Sequence, residues 1–61
     1  MIVIDPNILA VARSLVRRYG DEAKRHALVR ISELSDEGDL IGRDLWMQVA
    51  AAVDGLQRRD Y

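Results

Sequence analysis

The side chains with the best claim to chemistry are Ser14, Ser32, Ser35 and the single histidine, His26. Nucleophilic catalysis needs a nucleophile, a base and an orienting group within hydrogen-bond reach of one another. Ser14 and Ser32 fall in the middle of helical patterns, and no glycine-rich elbow or oxyanion loop accompanies any of the serines. His26 stands between Arg25 and Ala27 on a helix flank and reads as a solvated surface residue. The acidic run Glu33, Asp36, Glu37 and Asp39 lacks the alternating oxygen ligands of a calcium loop. With no cysteine and one histidine, a zinc site has no ligand set. No phosphate loop or dinucleotide motif occurs. The expectation is a protein that is not an enzyme, with no cofactor and no metal.

Charge offers a second kind of chemistry. Arg17, Arg18, Lys24, Arg25, Arg58 and Arg59 would gather at one pole of an up-down-up helical arrangement, interleaved with Asp21, Glu22 and Asp60. Asp5, Glu33, Asp36, Glu37, Asp39 and Asp44 would gather at the other. The net charge of −1 would then conceal a bipolar molecule whose basic pole could contact anions such as phosphates. Helix-turn-helix DNA binding is a poorer fit. The third helix exposes Arg43, Asp44, Met47, Gln48, Ala51, Asp54 and Arg58, and its aspartates would oppose base edges and phosphates.

The elements that must carry these residues are marked by two Gly-Asp pairs, Gly20-Asp21 and Gly38-Asp39. Glycine accepts the left-handed conformation that closes a helix, and aspartate can accept hydrogen bonds from the orphan N–H groups that open the next. Asp5-Pro6 supplies an N-cap and a first helical residue whose missing N–H costs nothing. Three helices are expected, at about 6–19, 22–37 and 40–58. Ile8, Ala12, Leu15 and Tyr19 form one face of the first, widened by Leu9, Val11 and Val16. Ala23, Ala27, Ile31 and Leu34, with Leu28 alongside, form the apolar face of the second. Leu45, Val49, Ala52 and Leu56 make a row on the third, broadened by Trp46, Ala50 and Val53, with fraying expected near Gly55. Ile2-Val3-Ile4 reads as a short extended lead, with an arm pairing to a second subunit as its alternative. The fold class is therefore all-α, a three-helix up-down-up bundle in a single small helical domain, 1–61.

Sixty-one residues lie near the lower limit for independent folding, where burial and chain entropy nearly cancel. Without disulfides, self-association is the common remaining route to more burial. The apolar fraction of 49% beside 31% charged residues excludes disorder by composition. No apolar run approaches the roughly 20 residues that span a bilayer, and the apolar opening is too short for a signal peptide, so a cytoplasmic location is expected. The over-wide stripe of the first helix points to an interface at Ile8, Leu9, Val11, Leu15 and Val16, joined by Trp46 and Met47.

The stretch Tyr19-Gly20-Asp21-x-Ala23, followed by Gly38-Asp39-x2-Gly42-x3-Trp46-x2-Val49-x3-Val53-x2-Leu56, resembles a group of short helical proteins common in alphaproteobacteria. The likeness covers roughly residues 9–57 and leaves Ile2–Ile4 outside. It implies a bacterial, cytosolic origin and carries no activity, catalytic residue or cofactor with it. The combined reading is a self-associating interaction or regulatory module, as a homodimer or higher homo-oligomer, with a protein partner possible and membrane and nucleic acid disfavoured. The alternatives are a nucleic-acid-associated regulator acting through the basic pole, or a small inhibitor of a larger complex.

Overall fold

A computed structural model describes residues 6–58, and these are almost wholly helical, with no strand among them. Helix α1 spans Pro6–Tyr19, a 3-10 turn follows at Gly20–Glu22, α2 spans Ala23–Asp36 and α3 spans Leu40–Gln57. The all-α expectation holds. The division is coarser than expected, because the helical chain falls into two unbroken runs, 6–36 and 40–57. The lead at Ile2–Ile4, the Asp5 cap, Arg59 and Asp60 lie outside the described residues.

The two glycine junctions differ in kind. Gly38 sits at φ +78° and closes α2 through paired bonds: its N–H donates to the Ser35 carbonyl at 3.1 Å, and the Asp39 N–H donates to the Leu34 carbonyl at 2.9 Å. This is the Schellman pattern, which satisfies the last carbonyls of a helix. Asp39 then opens α3, its Oδ1 accepting from the Gly42 N–H at 2.9 Å. One residue thus serves as both the end of one helix and the cap of the next.

Gly20 is also left-handed, at φ +56°, but Asp21 does not cap the next helix. Asp21 and Glu22 are themselves part of the 3-10 turn, and no side chain caps α2. The expected cap at Asp21 is corrected accordingly: the chain turns so tightly that the aspartate is consumed in the turn rather than preceding a helix. The Gly20 carbonyl receives the Ala23 N–H and the Gln57 side-chain amide, whose Nε2 lies 2.6 Å away. That bond ties the first junction to the last turn of α3. Helix α3 continues through Gly55 to Gln57.

The core forms where α3 lies against α1 and α2. Ile8, Ala12, Ala23, Ala27, Val49, Ala50 and Val53 make one buried cluster, and Leu34 is buried near the end of α2. Four of these eight are alanines, so the helices meet closely but with few large side chains between them. On α3 the buried row is Val49, Ala50 and Val53 with Trp46 beside it. Leu45 and Leu56, expected in that row, are exposed instead. Helical geometry rotates them onto the adjacent face, because the core row follows spacings of three and four from Trp46.

Candidate functional site

The surface expected on α1 is largely consumed by packing within the chain. Ile8 is buried, and Leu15 and Val16 are half-buried against the core. Leu9 is half-buried as well. Of the five apolar interface residues on this helix, only Val11 is exposed. Trp46 also packs against the core. It lines a shallow, open depression between α1 and α2 with Leu15, Tyr19, His26, Val29, Arg30 and Glu33. Met47, by contrast, is half-exposed. The expectation that α1 carries the spare apolar surface is thus corrected: α3 covers it.

The spare apolar surface sits on the other two helices. Leu28 and Val29 of α2 are exposed, as are Leu40, Ile41, Leu45, Met47 and Leu56 of α3. Ile41 retains 87% of its accessible area. Ile41, Leu45, Ala52 and Leu56 recur at i, i+4, i+11 and i+15, which places them along one stripe of α3. A stripe beside the core row is legible in the spacing. Which of the two rows is buried is not.

The basic residues gather as expected around the junction of α1, the 3-10 turn and the end of α3, but most have acidic partners there. Lys24 Nζ lies 3.4 Å from Asp54 Oδ1, and Arg58 lies 3.3 Å from the other oxygen of the same carboxylate. Arg25 pairs with Glu22 at 3.1 Å. Arg18 places its guanidinium over the ring of Tyr19, 5.7 Å from the centroid. Among the described residues Arg17 makes no ion pair. All of these pairs are exposed, so each adds little stability; Arg13, Arg17 and Arg18 of α1 take part in none of the ion pairs among the described residues. At the opposite end Glu33 pairs with Arg30 and Asp44 with Arg43, while Asp39 is occupied as a cap.

His26 is exposed, as expected, but it is not merely solvated. Its ring stacks on Tyr19 at 3.7 Å between centroids and 18° between planes. The turn at Gly20–Glu22 brings together two residues that belong to different helices. Ser14, Ser32 and Ser35 are exposed and make no described hydrogen bond to His26. No group of three or more potential metal ligands is assembled among the described residues. No described helix is long and apolar enough to cross a membrane.

No family model, curated protein or solved structure matches this chain.

Proposed function

We propose that this chain is a non-enzymatic helical interaction module that self-associates, as a homodimer in its simplest form. The observation that carries the reading is a mismatch between core and surface. Among the described residues eight are buried, four of them alanine, while eight large apolar side chains stay exposed. Burying one Leu, Ile, Val or Met side chain contributes about 1.5–3 kcal/mol relative to leaving it in water. Covering the exposed set is therefore the largest favourable term still open to so small a domain.

The architecture in this reading is a three-helix up-down-up bundle. The Gln57–Gly20 bond and the Lys24–Asp54 pair support it, because both hold the first junction beside the end of α3. The module is assigned to the cytoplasm of a bacterium, in keeping with its resemblance to the short alphaproteobacterial proteins. Phosphate binding is disfavoured because Asp54 and Glu22 stand in ion pairs among Lys24, Arg58 and Arg25 and would repel a phosphate.

Light scattering after size exclusion, at micromolar concentration, tests the reading. A mass of two chains or more is expected. A monomer whose melting temperature does not depend on concentration overturns it. A labelled random duplex should show no anisotropy change at about 0.15 M salt; steeply salt-sensitive binding would instead indicate counterion release.

A further inference from the structure

We propose that the outward face of α1 is a docking surface for an acidic helix of another protein, one that presents carboxylates a turn apart to Arg13 and Arg17. The inference rests on the interaction-module reading but not on self-association. The cations of the described chain divide sharply. Lys24, Arg25, Arg30, Arg43 and Arg58 each pair with a carboxylate, and Arg18 lies over the Tyr19 ring. Arg13 and Arg17 are exposed and hold no ion pair, hydrogen bond or ring contact among the described residues. Helix α1 carries no aspartate or glutamate, so nothing within the helix neutralises them.

Helix direction accounts for only part of this pattern. Arg17 and Arg18 stand in the last turn of α1, where positive charge complements the dipole. Arg13 stands a turn earlier, and a like charge four residues away destabilises a helix slightly. An anion from outside the chain relieves that repulsion, and the spacing defines the anion. Four residues at 1.5 Å each put the two arginines about 6 Å apart along the axis, on one side of the helix. Two carboxylates four residues apart on a partner helix have the same rise, so both pairs form with the helices side by side. Each guanidinium takes a carboxylate through two parallel N–H donors. Ala10 and Ser14 flank the arginines on that face and are small and exposed, which lets the partner's backbone approach.

A nucleic-acid duplex is a poorer occupant. Its phosphates continue past the end of α1, where Asp21 and Glu22 stand in the next turn, and two or three contacts would give a salt slope of only about −2 to −3. An anionic bilayer is poorer too. Ile8, Leu15 and Val16 of α1 are already packed in or against the core, so charge alone would hold the helix to a membrane.

Fluorescence anisotropy of the full chain with labelled, alanine-rich helical peptides tests the surface. One peptide carries glutamates four residues apart along a single face. A second has the same composition with its glutamates spread around the helix. At about 0.05 M salt, where exposed charges are weakly screened, the first should bind about tenfold more tightly than the second. Arg13→Gln and Arg17→Gln should each weaken the first peptide about fivefold, and the double variant more than about tenfold. Arg30→Gln and Arg43→Gln make the same change in net charge at arginines already paired, and should leave binding within about twofold of the parent.

Equal affinity for the two peptides, no binding of either at millimolar concentration, or equal losses in all four single variants overturns the α1 surface. So does a labelled duplex or an anionic vesicle that binds through Arg13 and Arg17 more tightly than the peptide does. Light scattering of Arg13→Gln and Arg17→Gln should return the mass of the parent; if these variants dissociate a dimer, the face joins two copies instead and the proposal fails. A monomeric chain that still prefers the one-faced peptide through Arg13 and Arg17 overturns self-association and leaves the α1 surface standing.

Discussion

Replacing Gly38 by L-alanine, by asparagine and by D-alanine tests how α2 is closed. The residue stands at φ +78°, and a Cβ built there meets nothing within 4 Å. Any effect of L-alanine must then come from backbone conformation rather than collision. Holding an L-residue in the left-handed region costs roughly 1–2 kcal/mol. The lower entropy of the unfolded chain returns about 0.4–1 kcal/mol. The expected net loss is therefore about 1 kcal/mol, which for a domain of this size lowers the melting temperature by about 4–8 °C. Asparagine tolerates the left-handed region better and should lose less. D-alanine, introduced by total synthesis, prefers positive φ and should stabilise, because it keeps the unfolded-state gain without the strain. Thermal melts followed by circular dichroism, at one fixed chain concentration so that association does not intrude, rank the three. L-alanine melting at or above the parent, or D-alanine melting below it, refutes the left-handed closure at Gly38.

The same packing gives three further expected outcomes. Asp39→Ala should cost about 0.5–2 kcal/mol through its lost cap, while Asp21→Ala, which caps nothing, should stay within about 0.5 kcal/mol of the parent; equal losses in urea melts would refute the distinction between the two junctions. Gly55→Ala should stabilise by about 0.8–1 kcal/mol, since the helix continues through it and its Cβ would meet open space; a lower melting temperature would show that the last turn of α3 is not helical. Ala27→Leu should destabilise by about 1–3 kcal/mol by overpacking a fully buried alanine in the core cluster, and unchanged denaturant stability would show that α2 and α3 do not meet so closely there.

The local marks of this fold are readable from the chain. Pro6 at the first helical position, positively charged Arg17 and Arg18 in the last turn of α1, and glycines at positions 20 and 38 each act within a few residues. Their effect depends on backbone sterics and dipoles that no distant contact needs to supply. The helix boundaries that these marks predict accordingly lie within a residue of those observed. Asp21 and Asp39 show the limit: the same Gly-Asp pair makes a 3-10 turn in one place and a capped helix start in the other. The difference depends on the path the chain takes after the glycine, and the Gln57 amide bound to the Gly20 carbonyl belongs to that path.

The choice of buried face is the larger matter that sequence could not decide. α1 carries a stripe wide enough to suggest a spare surface, and α3 carries two apolar rows side by side. Periodicity measures how apolar a face is, not what stands opposite it. Once α3 lies across α1 and α2, Ile8 and Trp46 are drawn into the core cluster or against it. Ile41, Leu45 and Leu56 are turned outward. The basic residues obey the same logic: their clustering is legible from helix direction, but the pairing of Lys24 and Arg58 with Asp54 spans thirty residues in one case and a helical turn in the other. Composition and spacing therefore determined that the chain is helical and where its helices begin and end. Only the packing of amphipathic faces against one another, which removes the best-matched rows from water and leaves the rest, decided which apolar surface remains exposed.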